Sequence, residues 1–143
     1  MTHSTQTTWT EGMAFQWNIE GHKVNIDAKE EFGGSGKGAT PKPFMLSALG
    51  GCTGMDIVSM LKKMKQLDSV QEFSVEVSGE LTEEHPKYYH SMHVKYIFKV
   101  KSGEQLNEEK VKKAIQLSES TYCGVRKVYE KAGIVLTSEL IIR

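Results

Sequence analysis

Two side chains in this sequence are suited to covalent chemistry, Cys52 and Cys123. They stand 71 positions apart (123 − 52) in a chain of 143 residues. That separation makes neither a secreted disulfide framework nor a zinc site, both of which need more ligands or tighter spacing. If the pair matters, it matters as thiol redox chemistry. Local context favours that use where a cysteine opens a helix, because the helix dipole and free N–H groups stabilise thiolate. Cys123 is expected in the first turn of a late helix, and Cys52 would gain the same setting if Gly50-Gly51 interrupts the helix around it. Asp56, one turn beyond Cys52, opposes a thiolate on the same face and calls for a compensating cation, and Lys42 and Lys37 are the nearest in sequence. The alternative use of both cysteines is as small apolar packing residues in the core.

Other chemistry is weaker. The glycine-rich run over residues 30–39 superficially resembles a phosphate-binding loop, but Glu31 occupies the first glycine position of that motif and Gly38 follows Lys37, so a flexible connection is the better reading. His85, His90 and His93 invite a metal reading. However, His90 and His93 are an odd number of residues apart on an expected strand and point to opposite faces. No metal or organic cofactor is expected.

The element that must position Cys52 is the one long apolar stretch, residues 40–66. Thr40 is a suitable N-cap and Pro41 a suitable first helical residue. Gly54, Ile57, Val58, Leu61 and Met64 repeat at helical intervals, with Lys62, Lys63 and Lys65 turned away. Gly50 and Gly51 suggest a bend or a close approach by another backbone.

Residues 9–27 alternate loosely around Glu20-Gly21 and predict a hairpin of two strands. Residues 73–82 and 92–100 alternate strictly and predict two long antiparallel strands, one face on the core and one in water. Asn107 caps a helix with Val111, Ala114, Ile115 and Ser118 inward. A break near residues 118–121 precedes a second helix, with Tyr122, Val125, Val128, Tyr129 and Ala132 inward and Gly133 as the stop. Residues 134–142 supply a closing strand. The order describes one α+β domain over residues 1–143, without repeats or linkers.

Eighteen basic residues balance eighteen acidic ones, and no basic run with interleaved aromatics stands out, so a nucleic-acid partner is not expected. The polar N-terminus lacks a signal core, and the apolar run is interrupted by glycines and lysines, so the chain reads as cytoplasmic and without a membrane partner.

The run from Phe32 through the glycine-rich loop to Pro41, the apolar helix into Ala48-Leu-Gly-Gly-Cys52, and Tyr122-Cys123 opening a late helix together resemble the OsmC/Ohr family of osmotically induced and organic hydroperoxide resistance proteins. The resemblance extends over nearly the whole chain and its element order. It implies an OsmC-like fold assembled as an intertwined homodimer, with the long helices central and two active sites built from both chains. It further implies Cys52 as the peroxidatic thiolate and Cys123 as the resolving thiol, with a hydroperoxide as substrate and an external dithiol as reductant. A thiolate attacks the O–O bond, and the sulfenic acid formed condenses with the second thiol before overoxidation. In the peroxidases of this family an acidic residue ten positions before the reactive cysteine holds an arginine over the thiolate. Here Lys42 stands at that position, as a possible support for the thiolate, and the arginines are Arg126 and Arg143. Two other readings accompany this one: a non-catalytic protein binding a small apolar ligand in the dimer cleft, and a redox sensor that reports oxidation to a partner.

Overall fold

The computed structural model describes residues 1–143 as two compact units, Met1–Met45 and Leu46–Arg143. The first holds a three-stranded antiparallel sheet, β1 (Thr5–Glu11), β2 (Ala14–Ile19) and β3 (His22–Ile26), in that order. Glu20 and Gly21 both take positive φ (52° and 85°), the two-residue turn whose twist matches its flanking strands, as the sequence predicts. The expected two-strand hairpin is nevertheless three strands. Gly12 turns the chain at φ 53°, and β1 is threonine-rich and exposed along its whole length, so no apolar alternation marks it.

The glycine-rich segment folds around one carboxylate. Asp27, almost fully buried, accepts the backbone N–H of Ala28 (2.8 Å), Ser35 (3.0 Å) and Lys37 (3.2 Å). The amides that a phosphate would need at Ser35 and Lys37 are therefore already engaged. A Cβ at Gly34 would overlap the carbonyl of Ala28, and one at Gly38 that of Asn25, so these glycines permit close approach of backbone to backbone.

Helix α1 (Phe44–Lys63) begins three residues later than the sequence predicts. Pro43 disfavours helical geometry at Lys42, and a turn over residues 41–43 leads in, with Phe44 N–H donating to Pro41 O (3.1 Å) and Met45 N–H to Lys42 O (3.0 Å). The helix then runs unbroken through Gly50 and Gly51. A Cβ at Gly50 would sit 3.3 Å from Val77 Cγ2, so this glycine lets the helix press on the neighbouring strand. By length and composition alone α1 reaches the measure of a membrane-crossing helix, a measure that the core helix of a soluble protein also meets, so it does not by itself indicate a span. Its Leu49, Thr53, Ile57 and Leu61 are buried, one turn apart each.

They pack on the second sheet, β4 (Val70–Leu81), β5 (Tyr89–Val100) and β6 (Val135–Ile142), in spatial order β4-β5-β6. β4 and β5 are antiparallel, as their alternation predicts, and β6 lies parallel to β5. A parallel neighbour requires a crossover connection, here α2 (Glu108–Leu117), a π-helical turn (Ser118–Tyr122) and α3 (Gly124–Lys131). Central β5 points Met92, Val94, Tyr96 and Phe98 into the core, each at most 2% exposed. Asn107 caps α2 as its sequence predicts, its Oδ1 accepting from Lys110 N–H at 3.1 Å.

The inward face of α3 differs from expectation. Tyr122 and Val128 are 62% exposed and Ala132 is exposed, while Cys123, Arg126 and Tyr129 face in. The widened π-helical turn and the extended backbone at Cys123 (φ −75°, ψ 99°) re-phase the helix that follows.

Candidate functional site

Cys52 is the ninth of twenty residues in α1, half-buried, and Asp56 follows it by one turn on the same face. Cys123 comes to them from the junction of the π-helical turn and α3. Its N–H donates to Ser118 O (2.8 Å), closing the π-helical turn, and as the N-cap of α3 its Sγ accepts from Arg126 N–H (3.4 Å). The two sulfurs and a carboxylate oxygen of Asp56 all lie within 4.8 Å of one another.

Of the two helix-terminus expectations, the one for Cys123 holds as to place and the one for Cys52 does not. Cys52 gains no N-terminal setting, because α1 does not break at the glycines. Cys123 has one, yet its thiol is pushed up to about 11: burial acts most strongly, the Arg126 N–H pulls the other way, and the Cys52 thiol and the Asp56 carboxylate add to the rise. One N–H donor does not outweigh loss of water at a residue only 4% exposed.

A buried polar chain extends from this cluster. Ser118 Oγ donates to Asp56 Oδ2 (2.8 Å) and sits 2.8 Å from Thr53 Oγ1, while Tyr96 O–H donates to Glu119 Oε1 (2.9 Å). With the Ser118 and Tyr96 protons so committed, the Thr53 proton goes to Ser118, and the 3.3 Å contact between Thr53 Oγ1 and Tyr96 has no proton of its own. Burial, reinforced by Glu119, holds the Tyr96 phenol well above its usual range. Arg126 Nε donates to Glu130 Oε1 (2.9 Å), and its Nη1 lies 3.4 Å from Glu119 Oε1 without an aligned hydrogen bond.

The Arg126 guanidinium is thus held between two glutamates, and it is the backbone N–H of this residue that meets Cys123. Lys42 is exposed in the turn ahead of α1, in the other compact unit, and Lys37 pairs with Glu11. His93 bonds Thr137 Oγ1 (2.7 Å) and Glu139 Oε1 (3.3 Å) across to β6, whereas His90 faces Glu80 at 3.8 Å. The i, i+4 spacing of Cys52 and Asp56 was visible in sequence. The contributions of Ser118, Thr53, Tyr96 and Glu119 arise only when α1, β5 and the π-helical turn meet.

Cys52, Asp56 and Cys123 offer two thiols and a carboxylate to one point. Such a set can form a disulfide, can hold a proton between sulfur and oxygen, and has the donor types of a thiophilic metal site.

Residues 34–139 match the family model described as OsmC-like protein. Protein YhfA of Escherichia coli K12 is 33% identical over 126 residues, 87% of each chain. An OsmC-like protein from Mycoplasma pneumoniae superposes with a TM-score of 0.80 at 11% identity, over 99% of this chain and 97% of that one. A Legionella pneumophila structure described as an organic hydroperoxide resistance protein superposes with a TM-score of 0.64 at 15% identity, over 99% and 96%. At these identities the two structures speak for the fold, and the family model and YhfA carry the kinship: the chain belongs to the OsmC-like protein family.

Proposed function

We propose that this protein reduces organic hydroperoxides with Cys52 as the attacking thiolate and Cys123 as the resolving thiol. One observation carries the reading: two cysteines from different elements place their sulfurs within 4.8 Å of each other beside a carboxylate. The Cys52 sulfur attacks one peroxide oxygen, and the O–O electron pair leaves with the other oxygen, which takes a proton and departs as alcohol. Cys52 is then a sulfenic acid. The Cys123 sulfur attacks it, the S–O bond breaks, and hydroxide leaves as water with the proton that Cys123 gives up, closing a disulfide. Since the Cys123 thiol is protonated at neutral pH, it needs a base at hand, and the Asp56 carboxylate is the nearest. An external dithiol then returns both cysteines to thiols, consistent with a reducing, cytoplasmic setting.

A groove of about 360 Å³ bounded by Asp56, Met60, Met64, Leu117 and Tyr122 offers apolar walls next to the carboxylate, which suits a peroxide with a hydrocarbon part. The Legionella pneumophila structure that shares this fold is described as an organic hydroperoxide resistance protein, in keeping with such a substrate. Lys42 keeps its proposed part as a support for the thiolate, and the assembled protein is a homodimer. The outer face of α1, with Ala48, Gly51, Met55 and Val58 exposed, is apolar and suited to cover by a second copy.

Stopped-flow loss of cumene hydroperoxide tests the reaction. Cys52→Ser should abolish it, and Cys123→Ser should allow one stoichiometric turnover and then stop. Undiminished consumption in Cys52→Ser would overturn the proposal.

A further inference from the structure

We propose that the reduced protein binds a thiophilic divalent cation, with Zn²⁺ as the leading candidate, through Cys52, Cys123 and Asp56. Sequence spacing argues against a zinc site, because the donors are not locally clustered. The fold supplies what spacing does not: three donor atoms whose mutual separations are all within 4.8 Å. Three atoms so placed always leave a point no more than about 2.8 Å from every one of them (4.8/√3). Zinc bonds of about 2.3 Å to sulfur and about 2.0 Å to oxygen are reached from there by side-chain adjustments of under about 1 Å. Two sulfurs select zinc over magnesium or calcium, which take oxygen donors.

The surroundings match what a ligand set requires. Asp56 Oδ2 is held by Ser118 Oγ (2.8 Å), which orients the carboxylate and leaves it lone pairs for the ion. Cys123 Sγ is held by the Arg126 N–H (3.4 Å), a donor that suits a metal-bound thiolate. Charge also balances. Exchange of two thiol protons for one divalent ion leaves the net charge of the half-buried site unchanged, so no extra charge is buried. The carboxylate of this set borders the groove lined by Asp56, Leu117 and Tyr122. Three protein ligands leave a fourth position for water, the arrangement of an exchangeable rather than a closed structural site. Because the same sulfurs make the disulfide, the ion and the disulfide exclude each other.

This inference rests on donor geometry and not on peroxide turnover, so its test uses no peroxide. Co²⁺ titrated into the fully reduced protein should give a thiolate-to-cobalt charge-transfer band in the near ultraviolet and tetrahedral bands in the visible, saturating at one ion per chain and displaced by Zn²⁺. Cys52→Ser and Cys123→Ser should each weaken binding by more than about 100-fold, and Asp56→Asn by about 10- to 100-fold. Ser118→Ala, which keeps all three ligands, should weaken it by about 10-fold while the charge-transfer band persists. Each variant is checked for folding by its circular dichroism. Zn²⁺ should raise the unfolding midpoint of the reduced protein and have no effect after diamide has oxidised the thiols. Absence of the charge-transfer band, or a band unchanged in Cys123→Ser, would overturn the assignment whatever the peroxidase assay gives.

Discussion

Alkaline solution should destabilise this protein through Cys123 in particular. The thiol is pushed from a reference of 9.0 up to about 11 by burial, by the neighbouring Cys52 thiol and by the Asp56 carboxylate, against one opposing N–H from Arg126. The folded state therefore holds this proton more tightly than the unfolded chain does. Its contribution to stability is fully present below about pH 9 and is lost as pH rises through about 11. Two pH units correspond to about 3 kcal/mol in full, of which about 2 kcal/mol is lost by pH 10.5. Tyr89, Tyr96 and Tyr129 are also raised by burial and add alkaline losses of their own, so the informative quantity is a difference. Urea unfolding of reduced wild type and Cys123→Ser, at pH 8 and pH 10.5 under argon, isolates it. Wild type should lose about 2 kcal/mol more than the variant between the two conditions. Asp56→Asn should shrink the excess, because one of its causes is removed. Equal losses in wild type and Cys123→Ser would show that the buried thiol is not perturbed in the folded protein.

Other perturbations follow from the same structure. The Asp27 carboxyl is held below its usual range by N–H donors from Ser35, Lys37 and Ala28, so its contribution is present above the unfolded value of 3.8 and is lost as pH falls through the lower folded one. Acid unfolding of Asp27→Asn should accordingly show a flatter pH dependence than wild type. Gly34→Ala drives a methyl into the Ala28 carbonyl and should cost at least about 3 kcal/mol by chemical denaturation. Arg126→Leu removes the cation between Glu119 and Glu130 and should cost about 3 kcal/mol, part of which the added substitution Glu119→Gln restores in a double-mutant cycle.

The sequence carried the large elements because their periodicities are strong. Val94, Tyr96 and Phe98 alternate, Asn107 caps, and Glu20-Gly21 turns, each for a local reason. What escaped was set by tertiary packing. β1 presents no buried face, so its threonines gave no pattern. Gly50 is compatible with either a bend or a close approach, and it is the approach of the Val77 side chain that occurs, which leaves Cys52 in the body of α1 and not at a helix start. The π-helical turn shifted the phase of α3 and turned Tyr122 and Val128 outward, a change that no count of apolar spacing registers. At the site, the two cysteines and the position of Asp56 one turn beyond Cys52 were legible. The meeting of all three, and the polar chain through Ser118, Thr53 and Tyr96 behind them, depends on α1, β5 and the crossover arriving at one place.

Whether Cys52 and Cys123 act as one redox unit is decided by disulfide mapping. Reduced protein is treated with one equivalent of cumene hydroperoxide, alkylated, digested without reductant and analysed by mass. The intact chain should lose two hydrogens and yield a single cross-linked peptide joining Cys52 to Cys123, with Cys123→Ser trapped instead as a sulfenic acid at Cys52. Recovery of both cysteines as alkylated thiols, or their independent overoxidation without a cross-link, would contradict it.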